Sequence, residues 1–205
     1  MKRKLPCLIL AAVLALASLA SCARRSAPPA LEDIYDEVVS LVEASYAVND
    51  VVFGHGLPVH AIGSEYAERV GLYRESDYAD YEYVTDHSPY RSIAEIKEAM
   101  EAVYSEDYLA SLYVGLFDGF ATETGIVRAQ YREDERGLCR SVDYTPLVTW
   151  QRIYDYASMR IVKPSSATYV TVELDSHLEN ETDVLPVRLA LVLEDDGWRL
   201  DTPTY

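Results

Sequence analysis

The spacing of apolar residues predicts three helices in the first half of the chain. From Leu31 onward, apolar positions recur with the helical period and form one face. That face contains Ile34, Val38, Leu41, Val42 and Ser45. Ser92 followed by Glu95 is typical of a capping box, and the helix that it opens carries one apolar stripe. The stripe consists of Ile93, Ile96, Met100, Val103 and Tyr104. Ser105 is predicted to cap a third helix that ends near Gly119.

The second half of the chain alternates with a period of two, which predicts antiparallel strands. Two strands, 126–132 and 138–144, flank a hairpin loop at 133–137. A long strand follows from Gln151 to Val162, and two more alternate around Val172 and Leu189. A short strand at 198–201 comes last. Upstream, the segment 73–85 alternates tyrosines with acidic residues, which indicates one further strand with a partly exposed face.

Helices that precede antiparallel strands favour an α+β domain over residues 31–205. We expect one curved antiparallel sheet that wraps around the packed helices, because this arrangement buries the helix stripes and one face of each strand. The order of elements over about residues 31–203 is similar to that of the cystatin-like or nuclear-transport-factor-2-like cone. The similarity implies a cone-shaped fold.

The N-terminal segment indicates export. Lys2-Arg3-Lys4 precedes an apolar run from Leu5 to Leu19, followed by small residues, as in a secretory signal peptide. As a helix the run would span roughly 22 Å, less than the ~30 Å hydrocarbon core. Leu19-Ala20-Ser21-Cys22 resembles a bacterial lipobox, which implies a signal peptide at 1–21, lipid on Cys22 and a tether at 22–30. The protein would then be lipid-anchored to the outer face of the cell membrane.

The charge balance narrows the class of partner. The full chain has a net charge of −16. Removal of residues 1–21 takes three of the 18 basic residues and none of the 34 acidic ones, which leaves a net charge of −19. Such a field repels nucleic acid and attracts basic partners. We therefore expect a protein or small-ligand partner and no nucleic acid.

Residues capable of catalysis are sparse in this sequence. The histidines at 55, 60, 87 and 177 do not match the spacing of a zinc site, and no phosphate loop or nucleophile elbow is visible. Cys139 is expected to be a buried small apolar residue. Asp155 could line a pocket, but it alternates with Tyr154 and Tyr156 and is equally well explained as a surface carboxylate. We predict no enzyme activity, no metal and no cofactor.

Three segments carry a family resemblance. Residues 90–97, Tyr-Arg-Ser-Ile-Ala-Glu-Ile-Lys, the following Val103-Tyr104-Ser105, and residues 197–205, Gly-Trp-Arg-Leu-Asp-Thr-Pro-Thr-Tyr, resemble the DL-endopeptidase inhibitor family of Firmicutes. The resemblance covers roughly residues 66–205. It implies a protein that restrains a cysteine peptidase acting on peptidoglycan stem peptides, and it assigns no contact residues. The lipobox and the additional N-terminal helix of this chain depart from the pattern of that family.

The acidic, tyrosine-rich segment at 75–86 is the predicted partner surface, with Tyr78, Tyr81 and Tyr83 as anchor contacts. An exposed edge strand protected by charges explains the same segment. Two other functions stay open. One is a small-ligand or glycan binder that uses a cone-shaped cavity. The other is a cone-fold enzyme with a carboxylate beside a tyrosine or histidine.

Overall fold

The computed structural model describes residues 27–61, 63–65, 80–123, 125–148 and 150–205. The helices are α1 (Leu31–Val52), α2 (Ile93–Glu101), α3 (Glu106–Tyr113) and a π-helical turn at Val114–Asp118. The strands are β1 (Tyr81–Tyr83), β2 (Phe120–Thr122), β3 (Gly125–Val127), β4 (Tyr131–Asp134), β5 (Gly137–Ser141), β6 (Arg152–Val162), β7 (Tyr169–Leu178), β8 (Leu185–Glu194) and β9 (Gly197–Leu200). This mixture of helices and antiparallel strands confirms the α+β class.

Helix α1 buries the face that its sequence pattern predicts. All five predicted positions of that face are buried, from Ile34 to Ser45. Acidic residues in the first turn interact favourably with the positive end of the helix dipole. After the helix, the chain turns at Gly56, which has a φ of 73°, and a Cβ atom there would lie 2.9 Å from the Tyr144 ring. Glycine is therefore required where this turn approaches Tyr144.

The two shorter helices begin at the predicted caps. The Ser92 hydroxyl accepts a hydrogen bond from the Glu95 backbone N–H at 3.1 Å, and Ser105 caps α3 in the same way through Tyr108. The capping box is incomplete, because the Glu95 carboxylate accepts from the backbone N–H of Arg91 rather than of Ser92. Helix α3 continues through the π-helical turn to Gly119, as the sequence predicts.

The four C-terminal strands form an antiparallel meander in the order β6-β7-β8-β9, and α1 contacts its two edge strands, β6 and β9. Alternate side chains of the central strands are buried on the inner face, which accounts for their clean apolar alternation. These are Val170, Val172, Leu174, Leu189 and Leu191. The register of β6 against β7 shifts between Asp155 and Arg160, where β6 bulges.

The expectation of one curved sheet is wrong. In the described residues, the strands pair as the meander, a three-stranded sheet of order β1-β5-β4, and the hairpin β2–β3. The strand predicted at 126–132 is divided because its middle bonds elsewhere. Gln130 N–H donates to the Gly115 carbonyl at 3.1 Å, and the Ala129 carbonyl accepts from the Tyr81 hydroxyl at 2.8 Å.

A buried polar cluster fastens the segment after β9 to α1. The Thr204 hydroxyl lies 2.6 Å from the Ser45 hydroxyl and 2.8 Å from the Asn49 side-chain nitrogen. The Tyr104 hydroxyl donates to the Asn49 side-chain oxygen Oδ1 at 2.7 Å, and the Tyr154 hydroxyl donates to the Thr204 backbone carbonyl at 2.9 Å. Because these polar groups form hydrogen bonds with one another, they can lie inside an otherwise apolar core. In the parts of the chain described above, no helix combines the length and apolar character needed to cross a membrane.

Candidate functional site

Tyr81 and Tyr83, which were predicted to be exposed on the partner surface, are buried. Their exposed fractions are 2% and 3%, and they form a small cluster with Cys139. The Tyr83 hydroxyl donates to the Asp134 carboxylate at 2.5 Å, and the guanidinium of Arg132 covers the Tyr81 ring. The predicted anchor role needed exposed rings, so the interpretation is wrong for these two residues.

The reason lies in the pairing of β1. Its pleat turns both tyrosines to the side of Cys139, and the acidic residue between them, Glu82, remains half-buried. The third predicted anchor, Tyr78, lies outside the described residues, as does Cys22. Cys139 is fully buried, as expected, and burial raises the pKa of its thiol to about 12.

Asp155 and the histidines at positions 55, 60, 87 and 177 are exposed or half-buried. His55 Nδ1 lies 2.5 Å from the Asp50 carboxylate, and both side chains are largely exposed. Asp155 is exposed whereas Tyr154 is buried, as their alternation predicts. Within the described residues, no three histidine, cysteine or acidic side chains are grouped as a metal site would require.

An apolar groove lies between the π-helical turn and the hairpin β2–β3. Its volume is about 550 Å³. Large exposed side chains line it: Val114, Phe120, Ile126, Val127 and Leu147. The exposed fractions are 79% for Ile126 and 78% for Leu147. Exposed apolar groups that share one concave surface are typical of a contact site.

Local backbone geometry holds these side chains in place. The hairpin β2–β3 is exposed along both strands, and neither strand has another partner among the described strands. Gly119 connects it to the π-helical turn with a φ of 71°, and a Cβ atom there would lie 2.8 Å from the Val127 carbonyl oxygen. The close approach of the two backbones fixes the hairpin beside the turn.

Asp143 lines the apolar groove, and other acidic residues lie on the segments that border it. Arg128 lines it, but its guanidinium is paired at 2.7 Å with each of Asp80 and Asp143. Asp118 and Glu123 are exposed on the turn and on the hairpin. Two carboxylates therefore offset the charge of the one arginine in the groove lining, and the turn and the hairpin that border the groove add two more acidic side chains.

A second concave site, the aromatic cavity, lies where the C-terminal part of α1 meets the start of β6. It has a volume of about 390 Å³. Aromatic, acidic and basic residues line it together: Tyr46, Asp50, Trp150, Arg152, Glu179 and Tyr205. The Tyr46 hydroxyl donates to the Arg152 carbonyl at 3.0 Å, which fastens the helix to the strand at this point.

Sequence reasoning missed both sites. Phe120, Ile126 and Leu147 stand in short segments without a clear period, so nothing indicated that they share a surface. The sequence Trp150-Gln151-Arg152 carried a weak signal, since it combines an aromatic and a basic residue at the start of a strand.

Comparison with known proteins finds no family model and no curated protein that matches this chain.

Proposed function

We propose that this protein is a non-catalytic binding module of the bacterial cell envelope, and that its partner is another envelope protein. The observation that supports this proposal is the apolar groove, in which five large apolar side chains remain exposed. Burial of such surface on association supplies about 25 cal/mol per Å² of apolar area. A partner that covers Ile126 and Leu147, the two most exposed side chains of the groove, therefore removes the most apolar surface from water.

The partner's contact segment should combine apolar and basic residues. An apolar stretch would fill the groove, and flanking lysine or arginine side chains would face Asp118, Glu123 and Asp143. The net charge, −16 for the full chain and −19 without residues 1–21, raises the encounter rate with such a partner. The same charge opposes binding to nucleic acid.

The location of the protein is part of the proposal. The lipobox-like segment that ends at Cys22 supports export with a lipid anchor at the outer membrane face, a signal peptide at 1–21, a tether at 22–30 and one domain at 31–205. Cys22→Ala is therefore expected to release the protein from membranes. Retention of the variant in the membrane fraction would contradict the anchor.

The particular partner that we propose is a peptidoglycan DL-endopeptidase, which the protein would inhibit. The support is the resemblance of residues 90–97 and 197–205 to the inhibitor family. The cystatin-like or nuclear-transport-factor-2-like cone belongs to the same proposal, supported by the packing of α1 against the edge strands of the four-stranded meander.

The test is a titration of the protein against the catalytic domain of a wall DL-endopeptidase from the same organism. Binding heat and residual peptide hydrolysis are both measured. Ile126→Ser is expected to weaken binding about tenfold or more, as for a central contact residue. Leu185→Ser is the matched control, because Leu185 is 60% exposed but does not line the groove.

The outcomes separate the parts of the proposal. If the protein binds the peptidase and hydrolysis is lost, the peptidase is supported as the partner. If Ile126→Ser weakens this binding and Leu185→Ser does not, the groove is supported as the contact site. Binding that both substitutions leave unchanged contradicts the groove as the contact site. Absence of binding contradicts the peptidase as partner.

A further inference from the structure

Arg152 is unusual among the arginines of this acidic protein. Seven described arginines form ion pairs: Arg91, Arg128, Arg136, Arg140, Arg160, Arg188 and Arg199. Arg132 is exposed over the Tyr81 ring. Arg152 is half-buried, and within the described residues its guanidinium donates only to the neutral Ser176 hydroxyl, at 3.1 Å. It lines the aromatic cavity.

A half-buried guanidinium without a carboxylate is a costly arrangement, because partial desolvation is not compensated by an opposite charge. The planar guanidinium is suited to bind a carboxylate through two parallel hydrogen bonds. Since the chain has 34 acidic residues and none of the described ones pairs with Arg152, the missing carboxylate is one that a ligand can supply.

Acidic residues accompany Arg152 in the lining of this cavity. Asp50 follows Tyr46 by four residues on α1, about 6 Å along the helix axis, and the Tyr46 hydroxyl donates to the Arg152 carbonyl. On the other side, the Glu179 backbone N–H donates to the Gln151 carbonyl at 2.9 Å. Both carboxylates line the same cavity as Arg152. A purely anionic ligand would be repelled by them, whereas a ligand with an ammonium group would be attracted.

We propose that the aromatic cavity binds a small zwitterion of the α-amino acid class. The ligand's carboxylate accepts hydrogen bonds from Arg152, and its ammonium group donates to Asp50 and Glu179. Its side chain packs against Trp150 and Val148. A cavity of about 390 Å³ falls within the usual size range of small-molecule sites. The proposal is independent of the apolar groove and of the protein partner.

Intrinsic fluorescence offers a direct measurement. The chain has two tryptophans; Trp198 is buried with 6% exposure, whereas Trp150 is 49% exposed and lines the cavity. Ligand binding should therefore change the emission of Trp150. The probes are L-leucine, 4-methylpentanoate, which lacks its ammonium group, and 3-methylbutylamine, which lacks its carboxylate. The other standard amino acids complete the panel, as both enantiomers except for achiral glycine, and the fluorescent tryptophan and tyrosine are tested by calorimetry.

We expect saturable emission changes with at least one amino acid, and binding of that amino acid about tenfold or more tighter than that of its analogues lacking either charge. Arg152→Gln should weaken binding by a similar factor, with a partial recovery in Arg152→Lys. Arg132→Gln is the matched control and should bind as the unmodified protein does. Calorimetry and circular dichroism of each variant report affinity and folding separately.

Three results would overturn the proposal. They are the absence of any signal and heat across the panel, equal affinity for the amino acid and its singly charged analogues, and unchanged affinity in a folded Arg152→Gln protein. Ile126→Ser, in the apolar groove, should leave amino-acid binding unchanged. Failure of the cavity and failure of the protein partner can thus be told apart.

Discussion

Substitution of Thr204 by valine tests the buried polar cluster that joins the segment after β9 to α1. Thr204 is 2% exposed, and valine has nearly the same shape, so packing is preserved. The substitution removes the hydroxyl that contacts Ser45, Asn49 and Tyr104. The hydrogen bond from the Tyr154 hydroxyl to the Thr204 carbonyl is retained, because it involves the backbone.

The magnitude follows from the partners that remain. Ser45 still donates to the Val42 backbone carbonyl, and Tyr104 still donates to the Asn49 side-chain oxygen Oδ1. The Asn49 amide group, however, loses the acceptor of the bond that it donates to Thr204. One unsatisfied buried donor costs about 1–3 kcal/mol, and loss of the hydroxyl's own donated bond adds about 1 kcal/mol. We therefore expect the free energy of unfolding to fall by about 2–4 kcal/mol.

Urea denaturation followed by circular dichroism measures this change, with the slope against urea unchanged if only stability is affected. Thr145→Val is the control, since Thr145 is exposed and should change stability by less than about 0.5 kcal/mol. A Thr204→Val protein as stable as the Thr145→Val protein would refute the reasoning. A double-mutant cycle with Asn49→Ala should show coupling of about 1 kcal/mol or more.

Three further predictions concern other parts of the fold. In the native protein at pH 8, Cys139 should not react with a thiol reagent until urea is added, because it is buried and its pKa is raised to about 12; rapid native labelling would contradict this. Hydrogen bonding from Arg188, with the nearby Arg160, lowers the pKa of Glu173. Its folded-state pKa therefore lies below the unfolded value of about 4.3, and the stability difference between the protein and Glu173→Gln should be present at neutral pH and shrink as pH falls below about 4. Gly56→Ala should lower the free energy of unfolding by about 1–3 kcal/mol, because it forces an L residue to a φ of 73°; equal melting temperatures would exclude that strain.

Local structure was predictable where it depends on neighbouring residues. Interactions within a few positions of the chain determine the period of α1, the caps at Ser92 and Ser105, and the alternation around Val172. The predicted starts of these helices and the predicted strand therefore agree with the structure. The partition of strands among sheets was not predictable in this way. It depends on backbone bonds between distant segments, such as the contact of Gln130 with Gly115.

The candidate sites were less predictable than the fold, because both are made by segments far apart in sequence. Alternation identified β1 as a strand but could not decide which of its faces would be covered. The charges beside Tyr81 and Tyr83 suggested exposure, yet both tyrosine hydroxyls found internal acceptors, in Ala129 and Asp134. A tyrosine with such a partner is stable in the core, so local acidity is a poor guide to its exposure.

The two concave sites differ in what a ligand would change. In the apolar groove, association removes water from exposed apolar side chains such as Ile126, so affinity should depend mainly on the buried area, and salt should act mainly by slowing the encounter with a basic partner. In the aromatic cavity, a ligand would complete the charge balance of Arg152, so affinity should depend on the ligand's two charges and fall when either is removed. One protein can therefore carry a protein contact and a small-ligand site whose energetics are separable.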